Sequence, residues 1–147
     1  MDRLTSALSL SILLGAGLAV IGALPAEATQ RLQGSWDATN SERDGKAAGE
    51  LVGHRLTFTG RKFLIRSKSG ERLYAGTART RSNVRPPAID FTHQEGDLKG
   101  KVWKGIYALD RNKLIICDNA PDLEKVRPAS FDECGSGYVL VTFERRR

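Results

Sequence analysis

The chain has 147 residues, enough for one domain and too short for two comfortable ones. Its 23 Lys and Arg exceed its 17 Asp and Glu, and the net charge of +6 favours contact with anionic surfaces, but the bases are scattered among acids and read first as a solvated surface. Only two cysteines are present, and their spacing excludes CxxC-type metal or redox motifs.

No charge occurs from Leu4 to Ala26, and Leu8 to Leu24 is almost wholly apolar. Pro25 breaks any helix, and Ala26-Glu27-Ala28 has the small-x-small form that signal peptidase reads. Residues 1–28 are therefore expected to be a signal peptide, and one domain is expected over 30–147. An uncleaved membrane anchor is the alternative, since the uncharged stretch is just long enough to span a bilayer. No cysteine follows the apolar run, which argues against lipid modification. Cleavage leaves 119 residues with 22 Lys and Arg against 15 Asp and Glu, a net charge of +7. The exported product has no further stretch able to span a membrane.

The rest of the chain alternates apolar and polar residues, with Gly, Pro, Asn or Asp every eight to fifteen positions, which is the pattern of short strands. Eight are expected. The first, 31–39, places Leu32, Trp36 and Ala38 on one face with Gly34 between them. The segment 40–53 reads as a long loop or one short helix capped by Asn40 or Ser41. Strands follow at 54–60 (Leu56 and Phe58 inward), 62–67 (Phe63 and Ile65), 71–80 and 88–92 (Ile89 and Phe91). The sixth, 101–110, aligns Trp103, Gly105, Tyr107 and Leu109. Two more are expected at 113–118 and 137–145, separated by the loop 119–136.

Eight short strands with one apolar face, mostly joined by short connections, close most simply into an all-β, antiparallel up-and-down barrel, which leaves no unpaired edge. A two-sheet sandwich is the competing arrangement. Cys117 and Cys134 would both be exported, and an even count in an oxidising compartment points to one disulfide. It would close a loop of about 16 residues and stabilise by roughly 3 kcal/mol. Two free buried thiols are the other reading.

A Gly-x-Trp at the start of the first of eight strands, Gly34-Ser35-Trp36, resembles the lipocalin and calycin pattern. That resemblance implies a glycine bend, a tryptophan packed on the barrel floor, and an arginine from the last strand across the indole. Arg145, Arg146 and Arg147 are the candidates. More specifically, "LQGSW" (32–36), "ERDGK" (42–46), "RLTFTG" (55–60), "AIDFT" (88–92), "GIYALD" (105–110), the "LIIC" run ending at Cys117 and "RPASF" (127–131) are similar to a planctomycete-type family of small exported lipocalin-like domains. The similarity extends over about 32–144. Cys117 matches a position where that family often has cysteine, whereas Cys134 falls in a varied polar stretch, so no shared disulfide is implied. No activity follows from the resemblance.

Catalytic constellations are missing from the sequence: there is no G-x-S-x-G, P-loop or dinucleotide fingerprint, and His54 and His93 have no metal-ligand spacing. Each histidine reads as a satisfied surface imidazole, and Asp90, Asp97, Asp110 and Asp118 read as turn residues. No catalytic residue, metal or cofactor is expected. Ligand binding is the more informative prospect, because an eight-stranded barrel either fills with side chains or holds one small molecule. Trp36 would close the floor, and Phe58, Phe63, Phe91, Trp103 and Tyr107 would line a cavity for a small apolar ligand. The alternative is an envelope module with a filled interior that contacts an anionic polymer or a protein through its basic surface. Arg55, Arg61, Lys62 and Arg66 with Lys68, Arg79, Arg81 and Arg85 would form that surface as one rim. A weaker third reading is an inhibitor presenting the loop 119–136. Nucleic-acid recognition lacks stacking aromatics on the outward face.

Overall fold

A computed structural model describes residues 29–147, so the expected signal peptide and its cleavage site lie outside the described residues. A helical turn at 29–32 leads into β1 (Gly34–Arg43), which is followed by a two-residue ribbon β2 (Lys46–Ala47) and a 3-10 turn (Gly49–Leu51). Then come β3 (Arg55–Thr59), β4 (Lys62–Arg66), β5 (Arg72–Arg81), β6 (Ala88–His93), β7 (Val102–Asp110) and β8 (Lys113–Asp118). A second 3-10 turn (Phe131–Glu133) precedes β9 (Val139–Arg145). Each strand from β3 to β9 pairs antiparallel with the next, and β1 pairs with both β3 and β9. That closure makes an eight-stranded antiparallel barrel with β2 as a small appendage on β1, and it removes the sandwich alternative.

Two boundaries differ from expectation. The first strand starts three residues later than residue 31, because the chain is helical through Leu32. It also runs on to Arg43, so Asn40 and Ser41 are strand residues and cap no helix. Ser41 faces the interior and is buried, and the sharp reversal comes only at Asp44 and Gly45, both at positive φ. Asp44 Oδ1 holds that turn by accepting the Gly137 N–H at 2.8 Å.

Register follows from alternation. The pairs Trp36↔Leu56, Leu56↔Ile65, Ile65↔Tyr74, Phe91↔Trp103 and Tyr107↔Ile116 put every expected inward residue inside the barrel. A bulge between Ala38 and Asn40 shifts the phase of β1, so its inward residues are Trp36 and Ala38, then Ser41 and Arg43. At Gly76 the barrel wall is tightest: it lies between Phe63 and His93 in register, and a Cβ there would collide with the Thr92 carbonyl. With no side chain between them, the Phe63 and His93 rings meet edge to face at 5.5 Å.

The floor answers to the Gly-x-Trp motif. Trp36 is 0% exposed, and its indole N–H donates to the Leu32 carbonyl at 2.9 Å. Arg145 is the arginine beneath it, with its guanidinium 4.2 Å from the ring centre. The same group donates to the Gln33 and Arg31 carbonyls, both at 2.7 Å, which satisfies the end of the helical turn. Gly34 has φ +104, a conformation that L side chains rarely adopt, as the chain swings from that turn into β1 over Arg145.

A second, smaller core lies outside the barrel. Ile106 and Cys117 point outward from β7 and β8, and Cys134 and Tyr138 fold over them. The Cys117–Cys134 disulfide is formed, with Cα atoms 6.2 Å apart. Arg127 reaches from the same loop to the Ile89 and Gly105 carbonyls at 3.1 and 2.7 Å and pairs with Asp90. Asn119 stitches the loop further, accepting the Lys104 N–H and donating to the Lys125 carbonyl, both at 2.8 Å. The segment 119–136 is thus a fastened cover on the outer wall.

Candidate ligand cavity at the barrel mouth

The interior is filled at one end and open at the other. Toward the floor, Trp36, Phe58, Phe63, Ile89, Leu114 and the plug residue Leu32 pack into one core. Toward the mouth lies a cavity of about 690 Å³. Leu56, Ile65, Phe91, Ile116, Val141 and Phe143 make much of its apolar wall, and Tyr74, Leu98 and Trp103 form one side. The polar groups gather near the mouth: Arg43, His54 and Asp118, with Glu95 and Asp97 on the β6–β7 connection.

Of the six residues expected at the ligand site, Phe91 and Trp103 line this cavity. Trp36 closes the floor, as expected. Phe58, Phe63 and Tyr107 are buried in the filled half and do not border the open space. Alternation places a side chain inside the barrel but says nothing of its height along the axis. Register does not separate them either, since Tyr107 pairs with Ile116 of the cavity wall; it is the packing around these three rings that keeps them off the open space.

Asp118 is the most informative of the polar groups. It ends β8 on the inward phase after Leu114 and Ile116, and it is 6% exposed. One carboxyl oxygen accepts the Ala120 N–H at 2.9 Å; the other has no hydrogen-bond partner among the described residues. Burial pushes its pKa up to about 7, against the opposing pull of that N–H and of Arg43. Arg43 and Asp118 are both in register with Val139, so they flank one strand on the inner wall. Arg43 is exposed and has no ion pair among the described residues.

The histidines depart from the surface reading. His93 is 1% exposed inside a box of rings: Trp103 at 4.2 Å, Phe63 at 5.5 Å and Tyr74 at 5.6 Å. Among the described residues neither of its ring nitrogens has a hydrogen-bond partner, and the Trp103 indole N–H beside it has none either. Burial lowers its pKa, so the ring is neutral. His54 is half-buried on the cavity wall; burial lowers its pKa, and nearby Glu50 partly offsets this.

The turn reading of the aspartates holds least well for Asp118, and Asp90 is committed to Arg127. A reader of the sequence had one signal for Asp118, its inward parity at the end of the run Leu114, Ile116. For Arg43 there was none, because the bulge before Asn40 hides its phase. The eight expected rim bases do not form one rim: Arg55, Arg66 and Lys68 lie at the mouth end, while Arg61, Lys62, Arg79, Arg81 and Arg85 lie toward the floor.

Among the described residues no cluster of three or more His, Cys, Asp or Glu could hold a metal ion. No helix among them is long and apolar enough to cross a membrane. Comparison of the chain with protein-family models, with curated proteins and with solved structures finds no match in any of the three. The formed disulfide points to a non-reducing compartment.

Proposed function

We propose that this chain is an exported, non-enzymatic, lipocalin-like carrier that takes a small, largely apolar molecule into the mouth of its barrel. The observation that carries the reading is the cavity itself. About 690 Å³ of apolar-walled space above a sealed floor is within the size range of small-molecule sites. A few polar groups at one end of an apolar space are what orients a ligand, so the molecule has an apolar body and one hydrogen-bonding head placed near Asp118 and Arg43. Export is supported by the apolar N-terminal stretch with its Ala26-Glu27-Ala28 site and by the disulfide.

The test is uptake of Nile red, a neutral dye that brightens in apolar surroundings. The wild-type chain is expected to bind one dye per barrel. Val141→Trp, which fills the cavity from its wall, abolishes uptake while leaving the thermal transition in place. Absence of uptake by wild type, or unchanged uptake by the filled variant, overturns the reading.

A further inference from the structure

We infer that the closed floor of the barrel is a docking face for an anionic lipid bilayer, which leaves the cavity mouth facing away from the membrane. Charge is divided unevenly between the two ends of the barrel. The helical turn contributes Arg31 to the floor, and the β3–β4 turn contributes Arg61 and Lys62. The end of β5 and the connection after it add Arg79, Arg81 and Arg85. Arg111 and Lys113 flank the β7–β8 turn, and Arg145, Arg146 and Arg147 end the chain's last strand.

These eleven bases face four acids, Asp37, Asp90, Asp110 and Glu144, of which Asp90 is in register with Arg79; the other described residues carry eleven bases against eleven acids. The entire positive excess therefore belongs to one end. Ten of the eleven are exposed, and among them only Arg146 has an ion pair, with Asp37. Unpaired cations on a single face make a field that attracts an anionic surface and orients the molecule on it.

Two further observations select a bilayer over a soluble polyanion. Val84 is one of few large apolar residues left exposed, at 38%, and it lies between Arg81 and Arg85 in the floor connection. An apolar tip among bases suits the boundary between headgroups and acyl chains. The described residues also begin at this end, because Thr29, three positions after the apolar stretch 4–26 in sequence, bonds Thr80 at the end of β5.

Every strand, the core and the disulfide fall within 29–147, so this stretch is tested by itself, by co-sedimentation with vesicles. It is expected to pellet with phosphatidylcholine vesicles containing phosphatidylglycerol, not with phosphatidylcholine alone, and to be released by high salt. The floor variant Arg61→Gln, Lys62→Gln, Arg81→Gln, Arg85→Gln loses at least about tenfold in vesicle affinity. A mouth variant of equal charge loss, Lys46→Gln, Arg66→Gln, Lys68→Gln, Lys99→Gln, loses less than about twofold. Val84→Ser weakens vesicle binding without changing retention on dextran sulfate. Equal binding to both vesicle types, equal losses in the two charge variants, or tighter binding to dextran sulfate than to vesicles overturns the inference. All the replaced side chains are exposed except the half-buried Arg66, and the thermal transitions of the variants report that the fold is kept.

Discussion

The floor and the mouth of this barrel are built from the same strands by opposite means. At the floor, Trp36 and its neighbours fill the interior, Leu32 plugs it, and Arg145 satisfies both an indole face and two backbone carbonyls. Among the described residues its buried polar atoms have partners, and no strongly shifted carboxyl lies there. At the mouth, space is left open, and among the described residues Ser41, His93 and Trp103 keep buried polar atoms without protein partners. Buried polar groups in that condition cost stability, so the mouth is the half of the barrel where stability has been given up for something else. The difference teaches where to look for function and where to look for folding.

The largest expected effect breaks the floor. Trp36→Ala removes a fully buried indole and strands Arg145 beneath an empty space, so it should cost about 3–5 kcal/mol. Chemical denaturation measures this, and a loss below about 1 kcal/mol would show that the floor is not the stabilising half. Cleaving the outer staple ranks next. Replacing both Cys117 and Cys134 with Ala should cost roughly 3 kcal/mol by freeing the loop they close. The released cover should then exchange its amide protons at Asn119 and Tyr138, while those of β3 and β4 stay protected.

Much of the floor was legible in the sequence. Alternation over "HRLTFTG", "KFLIRS" and "AIDFT" gave the inward faces, and Gly34-Ser35-Trp36 gave the bend and the packed indole. The disulfide was legible from compartment and count. The mouth was not, for three physical reasons. A bulge in β1 reverses phase, so Arg43 turns inward against the simple alternation. Tertiary burial makes a cage residue of His93 at a strand end that looks solvated in sequence. Which inward rings border open space depends on how the interior packs: Phe91 and Trp103 line the cavity, whereas Phe58, Phe63 and Tyr107 are enclosed by other side chains.

Titration sharpens the comparison, because the one carboxyl shifted by burial and both histidines lie in the mouth half. The pKa of Asp118 is raised in the folded state to about 7. A raised folded-state value means that the folded protein holds its proton more tightly than the unfolded chain. The resulting stability is complete below the ordinary carboxylate range and is lost as pH rises through about 7. Between about pH 5 and pH 8 the loss should amount to roughly 2–3 kcal/mol. The groups facing Asp118 are few: Arg43 on β1 favours its ionised form, Val139 and Gly105 carry no charge, and His54, Glu95 and Asp97 stand around the mouth. Asp118→Asn should remove the alkaline decline, seen as a thermal midpoint that no longer falls from pH 5 to pH 8. An undiminished decline would assign it elsewhere. The same variant should also flatten any pH dependence of dye uptake, since no carboxylate then forms beside the ligand.

The smallest effect concerns His93, and it runs the other way. Burial lowers its pKa, so the unfolded chain takes up a proton where the folded one does not. Its contribution is therefore fully present above the ordinary histidine value and is lost as pH falls through the lowered one. The rings of Phe63, Tyr74 and Trp103 offer no counter-charge to an imidazolium. His93→Phe keeps a flat ring in that box and deletes two nitrogens that have no partner among the described residues. At pH 7 it should change stability by no more than about 1 kcal/mol, in the stabilising direction. Below pH 6 it should open a widening advantage over wild type in thermal unfolding. A destabilised variant would show that the ring nitrogens are hydrogen-bonded in the folded protein and would remove this difference between mouth and floor.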